Sequence, residues 1–392
     1  MSRNQTSTLA VLSGVSDLAA AVAAIQTLGI QLRDTLVERD DDIRAALLAL
    51  VAEEHVLFLG PPGTAKSLLA KLISGAMDAT YFEVLLSKFS TPEEINGPLD
   101  MVALQDSRFE RNTAGYLPEA DVAFFDEIFK SNSALLNSML TALNERKFDN
   151  GGKRHDIPLK MAIGASNELP EDESLNALYD RFVMRRWVTY IKDKKELGKL
   201  LLNTARSGGI KPTVITAKLT GPMLNTLRAA RNQVTIDDVL DPLLKLRDGI
   251  AAEGIVASDR RWVKIVKFVQ ASAVLDGRAE ATVDDLDPLA DCLWDKPEDR
   301  PDIDLVIAGL VSPDQALAVK TRDAAAAEFT KLNLSNIEME DITGLGLINE
   351  QLTQMVVSMN RLQQTDKISK LTKEVSSMQL TLANAVAKAI GI

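Results

Sequence analysis

Between Glu54 and Ala76 the chain changes character twice. An apolar run, EHVLFLG, gives way to GPPGTAKS (60–67), which opens helix-like text. A buried strand turning through a glycine-rich loop into a helix aims backbone N–H groups and a helix N-terminus at one point, which suits an anion. The loop nearly matches the phosphate-binding pattern G-x-x-x-x-G-K-[ST], with Ala65 where the last glycine would stand. On that pattern Lys66 reaches the β- and γ-phosphates of a nucleotide, and Ser67 turns its hydroxyl to Mg2+. The nucleotide-binding stretch is then Gly60, Pro61, Pro62, Gly63, Thr64, Ala65, Lys66, Ser67 and Leu68. A position that accepts a Cβ is expected at negative φ, so any left-handed demand should fall on Gly60 or Gly63.

Two further apolar runs end in polar residues. VAFFDE (122–127) pushes a strand through the core, and Asp126 emerges to hold Mg2+ while Glu127 can polarise an attacking water. The plainer alternative is that both acids merely favour the N-terminus of the next helix; a phosphate loop upstream favours the first reading. KMAIGASNE (160–168) ends in Asn167, whose neutral amide can hold that water beside Glu127; the plainer alternative is an Asn that suits the turn that follows. ALYDRFVMRRW (177–187) offers Arg181, Arg185 and Arg186. Arginine at a subunit edge can neutralise charge on a neighbour's γ-phosphate, although a lone arginine after a helix is more often a solvated charge. Strands alternating with helices predict an α/β fold with a mostly parallel sheet, its working residues at the C-terminal ends of the strands.

The remaining text is mostly helical. Residues 8–30 and 40–54 read as helices, as does SNSALLNSMLTALNER (131–146). FDNGGKRHDIP (148–158) reads as a hairpin around Asn-Gly-Gly, and a second hairpin is expected in 101–117. From Tyr190 to Trp294 there are no strand runs, and DKPEDRPDID (295–304) reads as a linker. Towards the C-terminus Leu345, Ile348, Leu352, Met355, Met359 and Leu362 recur in steps of three and four. Ile368, Leu371, Val375, Met378 and Leu382 do so out of phase, which predicts two helices meeting near QQTD with Thr365 or Asp366 as N-cap; one long helix with a stutter is the competing reading.

Composition bounds the partners. A net charge of −11 argues against the phosphate backbone of nucleic acid as the main ligand. Cys292 is the only cysteine, so no intrachain disulfide forms, and His55 and His155 lack metal-ligand spacing. Neither a signal peptide nor a membrane span is evident, and the cytoplasm is the expected location.

In their order and spacing these blocks resemble an AAA+ ATPase of the MoxR group. FSTPEEINGPLD, GYLPEA, FDEIFKSNSALLNSMLTALNERKFDNG, ASNELP, ALYDRF and SDRRW are closest to its regulatory ATPase variant A subgroup, over roughly 30–295. The resemblance implies an AAA+ α/β subdomain with two hairpin inserts over 1–189, an all-α lid over 190–295, a linker over 296–312 and a triple-helical bundle over 313–392. It also implies ATP/ADP and Mg2+ as cofactors, Lys66 and Ser67 as loop residues, Asp126 and Glu127 as metal-holding and water-activating pair, and Asn167 as first sensor. Arg181 would act on the neighbouring protomer, and Arg260 of the lid, or Arg261 should the register slip by one, would be the second sensor. A homo-hexameric ring is implied, with the hairpins facing its pore or upper surface. So is the remodelling of a target protein together with a von Willebrand factor A domain protein. The subgroup carries a β-rich insertion that binds a lysine decarboxylase; no strand-rich interval is read in 305–392, so that insertion is expected to be absent. The rival readings are a nucleic-acid-dependent AAA+ motor and a nucleotide-binding scaffold without turnover.

Overall fold

Apolar runs without alternation mark strands buried on both faces. The structure, a computed structural model, describes residues 3–172, 175–207, 215–332, 334 and 341–390. It opens with helices α1 (Arg3–Thr35) and α2 (Asp40–Ala52), then strand β1 (Val56–Leu59), α3 (Lys66–Ala76) and β2 (Tyr81–Leu85). Two short helices, α4 (Pro92–Asn96) and α5 (Met101–Gln105), precede β3 (Val122–Asp126) and α6 (Ser133–Glu145). The strands β4 (Lys147–Asn150) and β5 (Lys153–Asp156) pair with each other, and β6 (Met161–Ser166), α7 (Asn176–Tyr179) and β7 (Met184–Trp187) follow. Then come α8 (Lys194–Ser207), α9 (Gly221–Arg231), α10 (Asp237–Ala252), α11 (Asp259–Leu275), α12 (Arg300–Val311), α13 (Pro313–Thr330), α14 (Ile342–Asn360) and α15 (Asp366–Ala389).

The main sheet is wholly parallel in the order β2-β3-β6-β1-β7. Every residue of β1 and β6 is buried, as their unbroken apolar sequences require. The chain leaves β1 for the far edge at β2, works back through β3 and β6, and crosses to β7 on the other side of β1. That reversal opens a crevice at the C-terminal end of β1, where ligands of open α/β sheets bind. The register sets Leu59 beside Ser166, so the phosphate loop and Asn167 leave the sheet side by side. The expected α/β fold is present.

The chain divides into two compact units. One comprises residues 1–238 and 257–293, and the other 239–256 and 294–392. In the first, α9 and α11 pack on the N-terminal helices α1 and α2. In the second, Leu345, Leu352, Met359, Ile368, Leu371, Val375 and Leu382 are buried in one core, with Ile348, Met355, Leu362 and Met378 at its margin. Those are the two apolar series of the sequence, on α14 and α15, with Leu362 just past the end of α14. Thr365 caps α15, its hydroxyl accepting from the Ile368 N–H at 3.2 Å. No helix among the described residues is long and apolar enough to cross a membrane.

Three local expectations are corrected. The 295–304 stretch, expected as a linker, carries helical structure: Pro297 opens a short 3-10 turn, and Pro301 stands in the first turn of α12. Proline is pre-shaped for a helix's first turn, so these prolines start elements instead of separating them. The 101–117 stretch is no hairpin either, since Asp100 accepts from the N–H groups of Val102 and Ala103 and nucleates α5. One bridge, Leu99 to Arg111, remains of the expected pairing. The Arg111 backbone is satisfied by the Asn150 side chain, which accepts from its N–H at 2.7 Å and donates to its carbonyl at 3.2 Å. The hairpin expected in 148–158 forms as β4–β5, with Gly151 and Gly152 at positive φ in the turn.

The third correction concerns Ala65, which adopts φ +67°, in the left-handed region, at the N-cap of α3. Gly60 at φ +133° and Gly63 at φ +77° are also left-handed. The loop therefore reverses three times, and the last reversal falls on the residue that directly opens the helix. A methyl group is the smallest side chain that can meet that demand, at a cost of roughly 1–2 kcal/mol.

Candidate functional site

Gly60 is where loop and sheet meet most closely. Its N–H donates to the Ser166 carbonyl at 3.0 Å, and a Cβ there would lie 2.1 Å from the Val188 carbonyl oxygen. From this point the loop rises to α3, whose N-terminus carries no side-chain cap. Uncapped N–H groups in a left-handed turn form an anion-binding concavity. Lys66 reaches across the loop, its Nζ donating to the carbonyls of Gly60 at 2.7 Å and Pro61 at 3.0 Å. Partial burial lowers the Lys66 pKa, and Asp126 and Glu127 oppose that by favouring its charge.

Those two acids end β3. The Asp126 carboxyl is pushed up chiefly by burial, with Glu127 adding to the rise while the Glu127 N–H and Lys66 counter it. Glu127 has a left-handed backbone, φ +52°, which turns its side chain towards the neighbouring strand end. There the Asn167 Nδ2 donates to Glu127 Oε1 at 2.7 Å. Glu127 Oε2 is buried and accepts no hydrogen bond among the described residues; the Lys130 ammonium lies 3.3 Å away. Lys66, Ser67, Asp126, Glu127 and Asn167, far apart in the chain, thus come to the C-terminal ends of β1, β3 and β6.

The donor set fits a magnesium nucleotide. The uncapped loop suits phosphate, while the Ser67 hydroxyl and the Asp126 carboxylate are the hard oxygen ligands that Mg2+ takes, few in number and completed by water. A divalent cation would also offset the burial that disfavours charge on Asp126.

The arginines of ALYDRFVMRRW part company. Arg185 is fully buried, its guanidinium 3.7 Å over the Tyr179 ring and donating to the Phe182 and Tyr179 carbonyls. Arg186 bonds Asp291 at 2.8 Å and Asp42 at 3.1 Å. Both are consumed by the fold. Arg181 is different: its Nε is buried and makes no hydrogen bond among the described residues, and Asp180 lies 3.9 Å from its NH1. Burial lowers its pKa, and Arg260 lowers it further. Arg260 is exposed near the start of α11, whereas Arg261 is buried and donates to Asp180 at 3.1 Å.

The sequence reading passed over Arg39. This buried residue donates to the Thr64 carbonyl of the loop at 3.0 Å, to the Glu38 carbonyl, and to the Thr189 carbonyl beyond β7 at 2.9 Å. It ties the phosphate loop to the strand end opposite. Its hydrogen-bond partners are backbone carbonyls, which no side-chain pattern announces, and Asp42 adds a longer ion pair at 3.9 Å.

A family model described as the MoxR domain of the MoxR-vWA-beta-propeller ternary systems matches residues 23–228, more than half of the chain. The chain belongs to the MoxR family of AAA+ ATPases. A model of an AAA lid domain matches residues 238–307 of this MoxR-family chain. Among its relatives, an uncharacterized protein of Methanocaldococcus jannaschii is 38% identical over 317 residues, 80% of this chain and 83% of the relative. The chaperone MoxR1 of Mycobacterium tuberculosis is 23% identical over 237 residues, 59% of this chain and 61% of MoxR1. A crystal structure from Cytophaga hutchinsonii, described provisionally as an ATPase, shares the fold. It superposes with a TM-score of 0.61 at 19% identity, covering 73% of this chain and 90% of that one.

Proposed function

We propose that this MoxR-family chain hydrolyses ATP to ADP and phosphate as a protomer of a homo-hexameric ring, and that the ring remodels a partner protein. The observation that carries this reading is the Asn167 amide held on Glu127 at 2.7 Å, beside Asp126. A carboxylate oriented through one oxygen, with its other oxygen making no hydrogen bond among the described residues and only an ion pair with Lys130, has an acceptor left for the proton of an attacking water. Lys66 and the loop N–H groups hold the phosphates, and Ser67 and Asp126 hold the metal. When bound, Mg2+ neutralises charge on the transferring phosphoryl group. Asn167 keeps Glu127 and the water in line.

Arg181 acts across the subunit boundary, on the neighbour's nucleotide. In support, Arg181 Nε makes no hydrogen bond among the described residues, and its ion pair with Asp180 is long, at 3.9 Å. Arg260, exposed, serves as second sensor in preference to the engaged Arg261. The likeness of residues 23–228 to domains named for MoxR-vWA systems supports a von Willebrand factor A domain protein as partner, with the β4–β5 hairpin at the pore or upper face. We further place the chain near the regulatory ATPase variant A subgroup without its decarboxylase-binding insertion, and in the cytoplasm.

Glu127→Gln keeps the shape and the Asn167 contact but cannot accept a proton. It is expected to bind ATP with near wild-type affinity and to lose hydrolysis by at least ~100-fold. Wild-type turnover in that variant would remove Glu127 from the role of base.

A further inference from the structure

Glu54 lies just beyond α2 and leads directly into β1 and the phosphate loop. It is a buried carboxylate, and both of its oxygens are taken by one helix: Oε2 meets Lys264 Nζ at 2.7 Å and Oε1 meets Lys267 Nζ at 2.8 Å. Arg260, Lys264 and Lys267 follow one another on α11 in steps of four and three, along a single face. The ion pairs therefore fix the rotation of α11 about its axis, and with it the direction in which Arg260 leaves the helix.

The preceding residues strengthen the fastening. Glu53 ends α2 in the left-handed conformation, φ +60°, without being glycine. Its carboxylate is bound by Arg231 at 2.8 Å and approached by Arg228 at 3.5 Å, both on α9. The same two arginines donate to the Leu50 and Val51 carbonyls at 2.9 and 2.8 Å, so they meet the negative end of the α2 dipole. Burial alone would raise the Glu53 pKa; Arg231, Arg228 and Lys267 together hold it below the usual range. Four cations of α9 and α11 thus converge on the segment that becomes the loop-bearing strand.

We propose that Glu54 is a positioning residue that registers α11, and hence Arg260, against the phosphate loop. This rests on the reading of Arg260 as a nucleotide-sensing residue. Lys264 and Lys267 are partly exposed and can turn to water when the carboxylate is lost, so the fold tolerates Glu54→Gln. Its effect should appear as weaker nucleotide binding in a chain that still folds.

The test is a double-mutant cycle on the full chain, reading the dissociation constant of a fluorescent ATP analogue and checking the fold by circular dichroism. Arg260→Ala alone tests the underlying reading, which fails if affinity is unchanged. Given an effect there, Glu54→Gln is expected to weaken binding about five-fold, and the double variant to bind no more weakly than Arg260→Ala. Independent effects that multiply, or a folded Glu54→Gln with unchanged affinity, would overturn the proposal. Should Glu54→Gln not fold, Lys264→Met with Lys267→Met approaches the same contact from the other side. That pair must show the same loss and the same non-additivity with Arg260→Ala, and its failure to do so would overturn the proposal equally.

Discussion

Ala65 shows what a single Cβ does and does not disclose. Alanine in place of glycine invites the inference of an ordinary backbone, because most left-handed residues are glycine. Yet the loop holds Ala65 at φ +67°, fastened on one side through Arg39 and Thr64 and on the other by the helix that starts at Lys66. The surrounding contacts over-determine the conformation, and the strain is carried locally. Ala65→Gly relieves it and is expected to raise stability by up to ~1 kcal/mol, the relief being partly offset by the greater freedom of glycine in the unfolded chain. Urea unfolding of the two proteins checks this, and a clearly destabilised variant would contradict the assigned strain. The residues that meet at these strand ends were legible because Asp126, Glu127 and Asn167 end apolar runs, and Lys66 and Ser67 close the glycine-rich loop that follows another. The handedness at Ala65 was not, because a tolerated Cβ does not forbid positive φ.

At the scale of elements, His55 joins the end of α6 to β6. Its Nδ1 accepts from the Ala162 N–H at 2.9 Å, which leaves the hydrogen on Nε2, facing the Leu143 carbonyl at 2.8 Å, with the Arg146 guanidinium also 2.8 Å from Nε2. A protonated ring would have to give up the Ala162 bond. Burial, together with the nearby Arg146 guanidinium, lowers the His55 pKa well below its ordinary value. The unfolded chain takes up a proton near pH 6.5 while the native chain does not, so native stability falls as pH drops through that value. The slope from this residue reaches about 1.4 kcal/mol per pH unit, and above that window the contribution is flat. Glutamine can reproduce both bonds without titrating. Urea unfolding of His55→Gln between pH 5 and 8 is therefore expected to lack this component of the wild-type dependence, and an identical dependence in both proteins would contradict it. Elements were legible where periodicity was strong, as in α14 and α15, and misread where a proline or an aspartate starts a helix. Pro301 lies in the stretch read as a linker and Asp100 just before the one read as a hairpin, and both prove to be N-terminal signals.

At the scale of the whole molecule, the long-range ties were the least legible. Arg39, Glu53 and Glu54 find their partners through backbone carbonyls or through cations that lie far along the chain. Charge composition reveals that such residues exist but not whom they meet. The same holds for Arg181, which under the proposed function acts on a second copy of the chain that its own sequence cannot position. The central claim is that ATP is hydrolysed at a site completed by two protomers, and steady-state phosphate release from mixed subunits tests it most directly. Lys66→Ala and Arg181→Ala should each be inactive alone, one lacking the phosphate lysine and the other the trans arginine. Mixed, some interfaces pair an intact loop with an intact arginine, and phosphate release is expected to reappear with a maximum at an intermediate ratio. Inactivity at every ratio, in rings shown to contain both variants, would contradict the account.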